Sequence, residues 1–185
     1  SWSREDLRRH IAIVMQRPQL FSGTIRENVT WGRPDASDEE IWQALDMAQA
    51  TDMVRGKKNG LDEMLEQGGR NLSGGQKQRL TIARALIARP DILILDDSSS
   101  ALDYATDAAL RRALRELKNT TLFIVSQRTS SIRHCHHILV LDEGHLVGDA
   151  THEELLASCP VYREIHEPDT WAMFLTSTLF PPSVD

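Results

Sequence analysis

Three short apolar runs, each closing on polar residues, recur along the chain: Ile11 to Met15 before Gln16, Ile92 to Leu95 before Asp96 and Asp97, and Thr121 to Val125 before Ser126 and Gln127. Runs this short and this uniformly apolar predict buried strands of a parallel sheet. The carboxyl ends of such strands face the ligand crevice, so the polar residues that follow them gather at one edge. Between the first two runs the period becomes helical. Over 35–50, Ser37 or Asp38 is the expected N-cap, Glu39 and Glu40 fill the first turn, and Ile41, Leu45 and Ala48 follow at helical spacing. Residues 51–70 read as short helix and loop. A second helical segment, Leu80 to Ala88, stops at Pro90. Leu110, Ala113, Leu114 and Leu117 space a third, leaving Arg111, Arg112, Arg115 and Lys118 as an expected solvated stripe. Ile138 to Leu141 and His145 to Ala150, either side of Glu143-Gly144, predict a hairpin, and Thr151 with Glu154 predicts a capping box. Ser1 to Arg9 is polar and reads as a linker or helical turn.

Composition narrows the setting. A chain of 185 residues with 41% hydrophobic and 26% charged positions can bury one domain core. No apolar run approaches the roughly 18 residues that a membrane helix needs, and the first residues show no signal-peptide pattern. A net charge of -6 argues against nucleic acid as the main partner. Cys135 and Cys159 are too few for a disulfide framework and fit a reducing cytosol. His134, Cys135, His136 and His137 are successive residues, which on an extended chain point to opposite faces. No metal is therefore expected there.

The stretch Asn71-Leu72-Ser73-Gly74-Gly75-Gln76-Lys77-Gln78-Arg79 carries the strongest chemical signal. Ser73 is a good N-cap, and two glycines leave the backbone open beside a bulky partner. A helix start of this kind presents N–H groups and a positive dipole end, which suits phosphate. Asp96 and Asp97 add a second signal. Of two acids at a strand end, the first can hold Mg²⁺, often through water, and the second can orient a nucleophilic water; the same pair also occurs as a turn or cap.

The string LSGGQ followed by KQRL resembles the signature motif of ATP-binding-cassette (ABC) ATPases. In that family the signature of one subunit closes over the γ-phosphate of ATP held by the other, which implies that Ser73, Gly74, Gly75 and Gln76 contact nucleotide. Residues Ala12 to Asn28 resemble the Q-loop segment of ABC exporters. That resemblance implies that Gln16 reaches Mg²⁺ and the attacking water, while Leu20, Phe21 and their neighbours meet the coupling helices of a transmembrane domain. The loop Glu66-Gln67-Gly68-Gly69-Arg70 sits where exporters touch that domain. Asp96-Asp97 and Ser98 to Asp103 match the Walker B and D-loop segments. The match implies Mg²⁺ at Asp96, catalysis at Asp97, and Ser100 and Asp103 at a dimer seam; Asp103 is equally placed to cap the next helix. Ser126-Gln127 falls at the switch loop.

Two positions depart from the family pattern. The residue after the Walker B aspartate is usually glutamate and here is Asp97, one methylene shorter; a misplacement of about 1 Å can cost on the order of a hundredfold in rate. The switch residue is usually histidine and here is Gln127, whose amide can donate a hydrogen bond but cannot carry a proton or positive charge. Together these changes resemble the degenerate half of heterodimeric exporters. The phosphate loop GxxxxGK[ST] does not occur in the sequence, so the resemblance covers the C-terminal two-thirds to three-quarters of a nucleotide-binding domain.

The resemblance implies an α/β P-loop-type parallel sheet lacking its N-terminal part, with an inserted helical subdomain over about 30–88. It implies a partial ABC ATPase domain over 1–167 and a tail of unassigned role over 168–185, where Trp171, Phe174, Leu175, Leu179 and Phe180 cluster. The implied cofactors are ATP and Mg²⁺, and the implied setting is the cytoplasmic face of a membrane. The implied partners are a second nucleotide-binding domain, in a heterodimer, and a transmembrane domain. A soluble ABC protein acting on nucleic acid or ribosomes, and a truncated cassette without activity, are the alternatives. Strand pairs that the missing segment would cover are expected to be exposed. Residues 1–185 alone are expected not to hold ATP tightly: calorimetry should detect no micromolar affinity, and finding one would contradict the reading.

Overall fold

The structure, a computed structural model, describes residues 3–98 and 100–166, which divide in sequence after Val125 into two units. The first unit opens with α1 (Arg4–His10), where the expected linker or turn is a helix capped by Ser3 and Asp6. It continues through β1 (Ile11–Val14), β2 (Gly23–Thr24), α2 (Ile25–Val29), α3 (Asp38–Met47), α4 (Thr51–Arg55), β3 (Met64–Leu65) and α5 (Gly74–Ile87). It ends with β4 (Ile92–Asp96), α6 (Tyr104–Arg115) and β5 (Thr121–Val125).

The sheet runs β1-β4-β5, all parallel, with Ala12 beside Leu93 and Leu122 and with Val14 beside Leu95 and Ile124. These residues share one face because strand side chains alternate. On that face Val14, Leu93 and Leu95 join the core with Leu80, Ile82 and Leu86 of α5 and Ile41 and Leu45 of α3. The opposite face carries Ile13, Ile94 and Phe123 in one row. Here the expectation of fully buried strands fails: Ile13 is 54% exposed, Phe123 51% and Val125 54%. The apolar runs by themselves read as a doubly covered sheet, whereas the described residues cover one side of it, in line with the expectation of exposed strand pairs.

The helical segment is built from reciprocal caps. Ser37 and Glu40 start α3, and the Glu40 carboxylate is held below the usual range by the Ser37 N–H and by Arg33. Arg33 and Arg89 both donate to Glu40 Oε1, at 2.7 and 2.9 Å, tying the start of α3 to the end of α5. A short antiparallel pair, Gly23 with Leu65 and Thr24 with Met64, joins the stretch after Gln16 to the loop before Ser73. Two residues per strand are too few to give a sequence pattern.

Helix α6 corrects one expectation. Arg111 is not on a solvated stripe: it pairs with Asp107 one turn earlier, and the two side chains are only 16% and 12% exposed. Asp107 lies on the buried side with Leu110 and Leu114, and a charge there needs a partner.

The second unit comprises α7 (Thr129–Ile132), β6 (Ile138–Asp142), β7 (His145–Ala150), α8 (His152–Ser158) and α9 (Pro160–His166). Strands β6 and β7 form the expected hairpin, and its turn has positive φ at both Glu143 (46°) and Gly144 (80°). Two left-handed residues match the twist of the flanking strands. Ile138, Val140, Leu155, Cys159 and Tyr162 form a small core. Gly148 packs closely there: a Cβ would stand 2.8 Å from Leu155 Cδ2 and 3.2 Å from Cys159 Sγ, so those side chains would have to shift to admit it. Thr151 and Glu154 make the predicted capping box. The aromatic segment from Trp171 to Phe180 lies outside the described residues.

The pair in α6 generates a test. Asp107→Ala should cost about 3 kcal/mol in urea unfolding, because it removes the carboxylate of a largely buried charge pair. Replacing both residues by leucine should cost clearly less than that. Equal losses for the single and the double change would contradict the assignment.

Candidate functional site

The exits of β1 and β4 lie side by side because Val14 is paired with Leu95. Asp96 ends β4, and Asp97 turns the chain with φ of 41°, a left-handed value that aspartate tolerates better than branched residues. The turn is held on both sides. The Asp97 N–H donates to the Val125 carbonyl at 2.9 Å. The Ser100 hydroxyl donates to the Asp97 carbonyl at 3.0 Å. From the neighbouring strand, Gln16 Nε2 donates to Asp97 Oδ2 at 3.0 Å. Gln16, Asp96 and Asp97 thus gather at one sheet edge, as the polar ends of the apolar runs predict.

The start of α5 lies against the segment that follows this turn. Gln76 N–H donates to Ser73 Oγ at 3.3 Å, and Ser73 N–H donates to Gln76 Oε1 at 3.0 Å. Ser73 and Gln76 are therefore both committed to the cap that orients the first turn. Gly75 is set by a close approach: a Cβ there would stand 2.9 Å from the Ala101 carbonyl oxygen and 3.8 Å from Leu102 Cδ2. Gly74 has Ala101 Cβ at 3.9 Å from the same construction. The N–H groups of a first turn have no intrahelical acceptor, so this end of a 14-residue helix can receive anionic oxygens.

Asp103 takes the capping role. Its carboxylate accepts from the Thr106 N–H at 2.9 Å and from the Thr106 hydroxyl at 2.7 Å, and these bonds hold its pKa below the usual carboxylate range. Ser100 is exposed beside it. Gln127 is exposed in the second unit, in the loop before α7.

Several side chains that support the site carry no sequence signal. Arg84 donates to the Asn28 carbonyl at 2.7 Å, to the Gln19 carbonyl at 2.9 Å and to Asn28 Oδ1 at 2.9 Å. Its guanidinium stands 5.2 Å from the Phe21 ring centroid, and burial lowers its pKa. Asn28 holds Phe21 through both its backbone N–H and its carbonyl. Phe21 in turn stacks on exposed Trp31 with centroids 4.5 Å apart. A shallow cavity of about 440 Å³ opens between Pro18 to Ser22 and Gln67-Gly68. In the sequence, Arg84 reads only as one more cation in an amphipathic helix.

The donor set fits Mg²⁺ with phosphate. Asp96, Asp97 and the Gln16 amide offer hard oxygen and amide groups at one edge, and Mg²⁺ typically takes one or two carboxylates, keeping water and phosphate oxygens for the rest. Among the described residues no group of three or more His, Cys, Asp or Glu could form an all-protein cage. No helix among them is long and apolar enough to cross a membrane.

Comparison with known proteins agrees with the geometry. The profile of the ABC transporter family matches residues 1–100. The ABC transporter ATP-binding proteins YknU and YfiB of Bacillus subtilis are 46% and 48% identical over 167 and 163 residues, or 90% and 88% of this chain. This chain spans 28% of the length of each. The solved structure of a bacterial Atm1-family ABC exporter with ATP bound superposes with a TM-score of 0.85 at 35% identity, over 92% of this chain and 30% of that one. With the signature turn, the acidic strand end and the glutamine loop assembled as described, the chain belongs to the ABC transporter family.

Proposed function

We propose that this chain is the ATPase portion of an ABC exporter subunit, that its own hydrolytic site is blunted, and that its signature turn serves ATP held by a partner subunit. The observation that carries the first part is the hydrogen bond from Gln16 to Asp97 at 3.0 Å. It joins the glutamine of one strand exit to the acid of the next, which supports a shared role for the two. Residues 1–167 act in this reading as a partial ATPase domain, with the helical subdomain over about 30–88 and an appended tail over 168–185.

Each residue has a task. Asp96 holds Mg²⁺, which when bound neutralises charge on the transferring phosphoryl group. Asp97 orients the attacking water, and Gln16 sets the position of the Asp97 carboxylate. Gln127 donates a hydrogen bond toward phosphate without carrying a proton. Two departures make this half slow: aspartate stands one methylene short of glutamate, and Gln127 cannot carry a proton or positive charge. The opposite surface is intact, because the α5 start has its full cap and lies open beside Ala101 and Leu102. Ser73, Gly74, Gly75 and Gln76 therefore complete a nucleotide site whose phosphate loop belongs to the partner, with Ser100 and Asp103 near the seam.

Transmission to a transmembrane domain uses the patch built on Phe21 and Trp31. The cavity beside Leu20 accepts an apolar knob from a coupling helix, and Arg84 locks its wall to α5. Such a protein works at the cytoplasmic face of a membrane.

The test is Asp97→Glu combined with Gln127→His in the assembled full-length transporter, assayed for hydrolysis of the nucleotide held at this chain's own site. A rise of roughly tenfold or more is expected, since about 1 Å of misplacement is removed at the base. Unchanged turnover, together with brisk hydrolysis by a homodimer of the original chain, would refute the blunted-site reading.

A further inference from the structure

Gln78 lies in the second turn of α5 and is 1% exposed. Its Nε2 donates to the Met15 carbonyl at 3.3 Å, whereas its Oε1 is buried without a hydrogen-bond partner. An unpaired acceptor in a core costs stability that an apolar residue of the same shape would not. Packing therefore does not call for glutamine at this position. The carboxamide does make one connection that no apolar side chain could make. It ties the signature helix to the peptide unit from which Gln16 leaves, and Gln16 reaches Asp97 Oδ2 at 3.0 Å. Further along the same helix Arg84 holds the Gln19 carbonyl at 2.9 Å. Helix α5 thus grips the loop over 15–19 at both ends, while its own first turn carries Ser73 and Gly75.

We propose that Gln78 is a positioning residue that couples the placement of the signature turn to the Gln16–Asp97 pair. Movement of α5 on closing over a nucleotide is passed through the carboxamide to the Met15-Gln16 peptide, and from there to the acid. The consequence for turnover rests on the ATPase reading above; the mechanical link rests on the geometry alone.

The experiment replaces Gln78 by methionine, with Gln78→Leu as a second variant, in the full-length protein. Thermal unfolding, amide hydrogen exchange, and kcat and KM for ATP, both read at this chain's own nucleotide site, are then compared with the unchanged protein. A merely structural role predicts a lower Tm. Coupling predicts a Tm unchanged or raised, since the orphan acceptor is gone. It also predicts roughly tenfold faster exchange at the Asp97 amide, which donates to the Val125 carbonyl in this arrangement, and kcat lowered about tenfold with KM within about twofold. In a Gln16→Ala background the Gln78 change should lower kcat no further, the sign of a shared path. Unchanged exchange overturns the proposal whatever turnover does; unchanged kcat, or losses that simply add, overturn it in a protein that hydrolyses ATP. If the unchanged protein shows no turnover, the ATPase reading fails and the exchange measurement decides the coupling by itself.

Discussion

The parallel pairing of β1 with β4 is the constraint on which the candidate site depends, because it brings two strand exits to the same edge in fixed register. With Val14 beside Leu95, two residues of travel on each strand deliver Gln16 and Asp97 to hydrogen-bonding distance. The left-handed turn at Asp97 then aims the carboxylate, and the Val125 carbonyl holds that turn from β5. A slip of one residue in β1 would send Val14 to the bare face and carry Gln16 away from the acid, since side chains alternate along a strand.

Helix α5 is the second constraint, and it works at both ends. Its start is fixed by a reciprocal cap and by Gly75, which lets the turn approach the Ala101 carbonyl closely enough that a methyl group would collide. Its body is fixed by apolar packing against α3 and the sheet and by two polar side chains that grip the preceding loop. Arg84 shows how a cation is kept in such a place without a carboxylate: three oxygen acceptors and one aromatic face surround it. A helix clamped in this way is tied to the loop over 15–19 at both of that loop's ends.

Features encoded by neighbouring residues were legible in the sequence. The caps at Ser37, Ser73 and Thr151, the turn at Glu143-Gly144 and the polar ends of the three strands each depend on a few adjacent positions, and each occurs as expected. Features that depend on what packs across a gap were not legible. Arg111 reads as solvated until Asp107 is seen on the buried side of α6. Ile13 and Phe123 read as core although the described residues leave their face bare. The β2–β3 pair and the grips of Arg84 and Gln78 join residues about 40 to 65 apart in sequence, and no local period announces them. Asp103 had two readings, and the hydrogen bonds with Thr106 show the capping one.

The account turns on a division between the nucleotide that this chain holds and the one that it covers. The most direct measurement is photolabelling of the assembled full-length transporter with an ATP analogue, combined with single-turnover hydrolysis and the substitution Ser73→Arg. The account predicts that this change abolishes hydrolysis of the partner's nucleotide while labelling of this chain persists. Loss of labelling on this chain with hydrolysis at the partner's site unaffected would contradict it.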